Sequence, residues 1–424
     1  MAARRKALAR DIVVVGAGVS KFGTFPGKTS RDLLGEAYSE ALTSVDKGVD
    51  PNEIEALYLG NYSSDLFENQ GHTAPLMADW LGLLPKPAVR VEGACGSSAL
   101  AFREGIISIA SGLYDTVMIA GVEKMSNLPT EGVTDALATA SDTIYEFNQA
   151  GYTFPGVFAI IASAYFNSYG ATREHLMRVA IKNHQNGALN PKAQFTVTLH
   201  EMMESRRQRL QERGLPVPKW RDELDFLNDP QSNPTVAWPL SLFDCAPITD
   251  GASCVILTAK ETAHNFTDRP VHVAGTAHAS GGALSSWSDL SSMPSAQVAA
   301  RQAYEMAGVT PNQIDLAEVH DCFTIAEIVA TEDLGFFPRG QGALAAAEGQ
   351  TARDGVKPIN TSGGLKAKGH PVGATGTAQI TEIWKQLRGE AEGRQVPNKN
   401  VEFGLTHNVG GTGGTCVIHI LRRD

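Results

Sequence analysis

One order of local elements occurs twice in this chain. Short apolar runs alternate with segments of helical spacing: Asp11–Val15, Arg31–Val45, Ile54–Leu59, His72–Leu83, Ala88–Val91, Gly96–Ser111 and Thr116–Ala120. The succession returns at Val271–Gly275, Ser295–Met306, Ile314–Val319, Ile325–Leu334, Ile359–Asn360, Pro371–Leu387, Val401–Thr406 and Thr415–Leu421. Runs of this kind predict an α/β protein with a largely parallel sheet covered by helices on both faces. A repeat of half the chain is too long for a solenoid and predicts duplicated halves packed on each other. The 424 residues suffice for two or three domains with sizeable cores.

Residues 123–262 interrupt the order. Helical spacing continues at Phe158–Tyr169 and Leu176–Asn186, and a polar stretch runs from His200 to Asn233. With ESRRQRLQERG at its centre, that stretch reads as a solvated surface helix and loop. A basic lid over a phosphate-bearing substrate is the sharper alternative. The net charge of −10 disfavours nucleic acid as a partner, because phosphate binding needs a basic surface. The N-terminus is basic and then briefly apolar, too short a run to cross a bilayer, and no other stretch is long enough; a soluble protein is predicted. Five scattered cysteines without a CxxC pair fit neither a disulfide framework nor a zinc site, and free thiols suit the cytoplasm.

Four blocks carry the chemistry. In VEGACGSSAL a strand ends, a small-residue turn follows, and a helix begins at Cys95. A thiol there lies in the positive end of the helix dipole, which favours the thiolate. In GGLKAKGHPVGATG, His370 precedes Pro371, a residue suited to a first helical turn, so His370 takes nearly the same place in the second half as Cys95 in the first. A cysteine facing a histidine is what nucleophilic catalysis requires. In AEVHDCFTIAEI, His320 and Cys322 follow a strand, where open α/β sheets place ligands, and Asp321 reads as a helix N-cap. THNVGGTGGT is a glycine-rich turn between strands, suited to aiming a backbone N–H at an oxyanion.

Together these blocks resemble the thiolase superfamily over essentially the whole chain. His320-Asp321-Cys322-Phe323 matches the HDCF motif of sterol-carrier-protein-2-type thiolases, and GVEKMSN, NYSSDLFENQGH and LTHNVGGTGGT are similar to archaeal-type acetoacetyl-CoA thiolases. Ordinary thiolases carry a second catalytic cysteine where this chain has Asn408-Val409-Gly410; in the HDCF branch that thiol is Cys322. The resemblance implies a thiolase fold of two βαβαβαββ halves in an α-β-α-β-α stack. Its divisions are an N-terminal half over 1–122, an inserted loop domain with a return strand over 123–262, and a C-terminal half over 263–424.

The resemblance also implies a mechanism. Cys95 is the nucleophile, His370 its base, and Cys322 the group that removes an α-proton. His320, through a water, and His370 stabilise the enolate, and the N–H groups of Cys95 and Gly410 hold the acyl oxyanion. Pro247, Ile248, Thr249, His184 and Asn408 are candidate substrate contacts, although His184 also reads as a surface residue and the Pro247–Gly251 turn as backbone packing. Cys245, Cys254 and Cys416 read as inert core thiols, and His407 and His419 receive no role. The implied reaction is acetyl-CoA C-acetyltransfer giving acetoacetyl-CoA, with a coenzyme A thioester as substrate, no further cofactor and no metal. Implied partners are further copies of the chain as dimer or tetramer, a zinc-bearing OB-fold protein and hydroxymethylglutaryl-CoA synthase. Rival readings are a longer-chain thiolase, a retro-aldolase or another acyltransferase of the same fold, and a noncatalytic CoA-binding scaffold.

Overall fold

The structure, a computed structural model, describes residues 7–397 and 400–424. Met1–Lys6, part of the basic N-terminus, lies outside them. Nine strands form one sheet: β1 Ile12–Val19, β2 Ala56–Gly60, β3 Ala88–Val91, β4 Thr116–Glu123, β5 Gly251–Ala259, β6 Val271–Ser280, β7 Leu316–Glu318, β8 Phe403–Gly410 and β9 Thr415–Arg423. Their spatial order is β3-β2-β4-β5-β1-β6-β9-β8-β7. The order is palindromic about the β1/β6 junction: the first half runs β3-β2-β4-β5-β1, and the second mirrors it, with Ile359 bridging Ala317 in the place of the missing outer strand. The halves join edge to edge at β1 and β6 through only Val13↔His272 and Val14↔Val271. The sheet is mixed and not largely parallel as the alternation predicted: only β2 with β3 and β4 and β7 with β8 pair in parallel, because the return strands β5 and β9 enter the sheet between the two arms of each half. Strands β5 and β9 run antiparallel to both neighbours.

Five layers follow from which face each strand buries. The helices that matter here are α1 Ser30–Thr43, α2 Ser97–Ala110, α3 Phe154–Tyr169, α4 Arg173–Ala188, α5 Leu199–Glu212, α6 Pro294–Ala307, α7 Thr324–Asp333 and α8 Thr375–Arg388. Along β1, Val13 and Val15 pack into an outer cluster with Leu33, Leu34 and Ala37 of α1, whereas Ile12 and Val14 face the opposite way. That inner cluster joins Phe102, Ile106 and Ile109 of α2 to Ile380, Ile383 and Trp384 of α8, so α2 and α8 form the middle layer. Helix α6 and the end of α7 cover the far face of the second half. Burial on both faces explains why these strands read as continuous apolar runs.

Strand β1 continues past Gly16 instead of ending there. A side chain on Gly18 would come within 2.4 Å of the Ala37 carbonyl and the Ala41 amide, so glycine lets α1 lie on the strand. The insertion hides more order than its polarity suggests. Helix α4 buries Lys182, Asn183, His184 and Asn186, and it packs on the 364–367 turn of the second half. Helix α5 is largely polar and exposed, in keeping with the surface reading of that stretch. Among the described residues no helix is long and apolar enough to cross a membrane.

Candidate active site

Two pseudo-equivalent turns deliver the reactive groups. After β3, a 3₁₀ turn over Ala94–Gly96 carries Cys95 and leads into α2. Ala94 there has a φ of 51°, a left-handed conformation disfavoured for a residue with a Cβ, and such strain is often stored at functional turns. In the second half, His370 and Pro371 precede a 3₁₀ turn over Val372–Ala374 that leads into α8. The helix thus begins at Thr375 and not at Pro371. His320 and Cys322 follow β7, as the motif predicted.

These segments converge. The donor atoms of Cys95, His320 and His370 all lie within 4.8 Å of one another. The two imidazoles meet edge to face, with centroids 5.1 Å apart. Cys322 lines the same cleft of about 540 Å³, whose walls include Met125, Leu137, Phe154, Phe323 and Val372. Pro247 and Ile248 also line it. Thr249 instead stands behind the wall, where its hydroxyl accepts the N–H of His370 at 3.0 Å.

Each imidazole has one nitrogen occupied. The Thr375 hydroxyl donates to the Pro371 carbonyl at 3.1 Å and lies 2.7 Å from His370 Nδ1. Its proton is committed, so the hydroxyl accepts from Nδ1–H and leaves Nε2 of His370 as a lone pair, the form a base needs. His320 Nδ1 lies 3.0 Å from the Asn408 amide nitrogen. The backbone N–H of His320 donates to Nδ1 of His407, a residue without a sequence-based role, at 3.4 Å.

Burial sets the resting charges. It pushes the Cys95 thiol up to about 12, against hydrogen bonds from the N–H groups of Gly411 and of Cys95 itself. Burial also pushes His370 down to about 3 and His320 well below its ordinary value. Cys322 rises well above the ordinary thiol range through burial and the neighbouring Cys95 sulfur. Desolvation thus outweighs the helix end, and Cys95 rests as a neutral thiol beside neutral imidazoles and not as the thiolate that its place at a helix start predicts.

Two sequence-based placements change, and Gly411 joins Gly410 at the site. Gly411, one residue beyond Gly410, places its N–H on the Cys95 sulfur and lines the cleft, while Gly410 closes the β8/β9 ladder opposite Thr415. His184 is neither on the surface nor in the cleft wall; it is fully buried between the rings of Phe195 and Phe243, because α4 turns that face toward the second half. Asp321 does not cap the helix that follows it. Its carboxylate accepts the N–H of Leu365 at 2.6 Å and of Lys366 at 3.3 Å and the Asn183 amide at 2.8 Å, tying the HDCF turn to the His370 loop. Glu123 does the same for the first half, accepting from Tyr62 N at 2.8 Å and Gly373 N at 3.1 Å. Nothing local in the sequence marks either clamp, since the partners are remote. Cys254 and Cys416 are fully buried core thiols.

Comparison with known proteins agrees with this geometry. Residues 12–261 match the thiolase N-terminal domain and residues 275–423 the thiolase C-terminal domain-like family. The chain belongs to the thiolase family. It is 45% identical to an acetyl-CoA acetyltransferase of Methanothermobacter thermautotrophicus, over 98% of this chain and all of that one. A Methanocaldococcus jannaschii protein of the same name is 38% identical over 97% of this chain and 99% of its own. Sterol carrier protein 2 of Bos taurus is 32% identical over all of this chain and 74% of its own length. In fold, the chain resembles the Ltp2-ChsH2(DUF35) aldolase, at 22% identity with TM-score 0.78 over 99% of both chains. It also resembles human mitochondrial 3-ketoacyl-CoA thiolase, at 18% identity with TM-score 0.68 over 99% of this chain and 100% of that one.

Proposed function

We propose that this protein is an acetyl-CoA C-acetyltransferase, condensing two acetyl-CoA molecules to acetoacetyl-CoA and CoA and running the reverse thiolysis. The observation that carries this reading is the meeting of Cys95, His320 and His370 within 4.8 Å, in a cleft that also holds Cys322. Acetyl as the acyl group rests on the relatives at 45% and 38% identity that bear that name.

In the first half-reaction His370 Nε2 takes the Cys95 proton as the sulfur attacks the thioester carbonyl. The CoA thiolate leaves and takes the proton of Cys322. In the second, the Cys322 thiolate removes an α-proton from acetyl-CoA, and the enolate attacks the acyl carbon on Cys95. The C–S bond breaks, and the departing sulfur recovers its proton from His370. The resting neutrality of both thiols suits this relay, because each proton moves only when a thioester is present to accept charge. The oxyanion on Cys95 meets the N–H groups of Cys95 and Gly410, beside the Gly411 N–H that rests on the sulfur. These steps use no cofactor beyond the CoA substrates.

Incubation with acetyl-CoA followed by intact-protein mass spectrometry tests the reading. A single acetyl adduct is expected, absent in Cys95→Ser. Cys322→Ala should keep the adduct and lose acetoacetyl-CoA formation. Absence of an adduct in the unmodified protein would overturn the assignment.

A homo-oligomer in the cytoplasm completes the proposal. Edge strand β3 has an open outer side and exposes Val89, where a second copy could extend the sheet. A monomer by light scattering would contradict it. An assembly with a zinc-bearing OB-fold protein and hydroxymethylglutaryl-CoA synthase is proposed from the family resemblance, and pull-down from native lysate checks it.

A further inference from the structure

We propose that Asn408 is a positioning residue that fixes the tautomer of His320, so that this ring presents Nε2–H, and not a lone pair, to the substrate oxygen. The inference deepens the thiolase reading above and rests on it.

The Asn408 side chain is fully buried, and its Nδ2 lies 3.0 Å from His320 Nδ1. An amide nitrogen only donates, so Nδ1 must accept, and the single proton of a neutral ring is then on Nε2. The reversed amide, with its oxygen on His320, is disfavoured by what lies on the other side. There Asn408 Oδ1 faces the Cα of Gly376: a Cβ built on that glycine would be 2.7 Å from the oxygen. A carbonyl oxygen tolerates a C–H neighbour, whereas an NH₂ group turned toward it would have buried N–H bonds without an acceptor. Asn408 Oδ1 has no hydrogen-bond partner, as this orientation requires.

His320 is held neutral by its surroundings. It is 3% exposed, with His370 edge-on at 5.1 Å and His407 bonded to its backbone N–H. Burial and the two neighbouring imidazoles both oppose a charge on this ring. The hydrogen-bond partners thus give the two imidazoles opposite tasks: Thr375 leaves His370 with a lone pair, and Asn408 leaves His320 with a proton. Since the thiol of ordinary thiolases is absent at position 408, the amide there has a function of its own. It is a donor behind the enolate-stabilising group, a place no thiol fills equally well.

Histidine labelled with ¹⁵N, with His320 assigned by its loss in His320→Gln, tests this directly. Two-bond ring correlations identify which nitrogen carries the proton. The expected result is Nε2–H in the unmodified protein and Nδ1–H in Asn408→Asp, whose carboxylate accepts from Nδ1. A wild-type His320 protonated on Nδ1 overturns the inference. Kinetically, Asn408→Asp should lower condensation by about 10²-fold or more, the usual effect of losing one oxyanion donor. Asn408→Leu, of similar shape but unable to impose either tautomer, should lose less. Equal loss in both variants would mean a packing role and sink the idea. If Asn408→Asp does not fold, the wild-type spectrum alone decides. Failure of the wild type to acetylate Cys95 would instead overturn the proposed function, whatever the spectrum.

Discussion

Asn408 Nδ2 reaches His320 Nδ1 across 3.0 Å, linking the end of β8 to the turn after β7. The two strands are parallel neighbours, with Thr406 beside Glu318, so residues two beyond each stand together at the sheet's carboxyl end. That register converts a sheet contact into control of a catalytic ring. The matching contact in the other turn is Thr375 on His370 at 2.7 Å.

The Thr375 contact yields a prediction of its own. Thr375→Val removes the acceptor for Nδ1–H while keeping the shape of the side chain. His370 then loses its fixed tautomer and orientation. General-base catalysis contributes about 10²–10⁴-fold, so kcat should fall by about 10²-fold with little change in KM. Thr375→Ser should restore most of it. Steady-state thiolysis of acetoacetyl-CoA provides the check, and a Val variant within twofold of the wild type would show that Thr375 only fills space.

Gly411 bears on the nucleophile itself. Its φ is +60°, and a Cβ there would stand 2.6 Å from the Ala140 carbonyl. Gly411→Ala therefore meets both a left-handed backbone, costing roughly 1–2 kcal/mol, and a clash. The turn must move, and its N–H leaves the Cys95 sulfur. Acetylation of Cys95, followed by mass spectrometry in a quenched time course, should slow by about 10²–10³-fold. Unchanged acetylation would remove this turn from the site.

Much of this was legible in the sequence, for a physical reason. Cys95, His320, Cys322 and His370 each lie where a strand ends or a helix begins, and hydrophobic periodicity locates such junctions. The doubled order then implies that equivalent junctions face each other. What could not be read depends on long-range contact. Asp321 looks like a cap for its own helix, yet its acceptors are filled by Leu365 and Lys366, more than forty residues on. His184 sits in a polar sequence, but IKNHQN is polar because α4 exchanges buried hydrogen bonds with the second half: Asn183 with Asp321 and Glu327, and Asn186 with the Asn360 carbonyl. The neutral state of Cys95 was equally hidden, since helix position is local and desolvation is not.

Acid should weaken the fold through its buried histidines. His370 and His419 are pushed down to about 3 and His407 to about 4, all by burial. Between those values and the ordinary value near 6.5, the unfolded chain binds protons that the folded one refuses, so stability falls as pH drops. Asp321 and Glu123, pushed up to about 7 by burial, act in the opposite sense: from about 4 to 7 the folded state keeps protons that the unfolded chain has lost. Single variants separate the two sets. His419 bonds the Ala99 carbonyl through Nε2 at 3.1 Å, outside the catalytic cleft. His419→Gln should reduce the loss of stability between pH 6.5 and 5 by about 2 kcal/mol. Urea midpoints at the two pH values measure it, and an unchanged difference would mean that His419 titrates normally.

The tautomer of His320 also determines what a metal ion does here. Cys95, His320 and His370 present a sulfur and two imidazoles, and zinc binds such sets at about 2.3 Å to sulfur and 2.0–2.1 Å to nitrogen. Zinc needs a lone pair from each ring. His370 offers one, but His320 with Nε2–H does not, so binding requires the ring to transfer its proton to Nδ1 against the Asn408 donor. Asn408→Asp reverses that preference, because a carboxylate behind a histidine favours Nδ1–H and strengthens the metal bond. The variant should bind Zn²⁺ about 10–100-fold more tightly than the wild type, as measured by competition with a chromophoric chelator. Addition of Cys95→Ser should cancel the gain, which places the ion on the nucleophile and not on the new carboxylate. Equal zinc affinity in wild type and Asn408→Asp would mean that the ring exchanges its proton freely and that Asn408 imposes nothing on it.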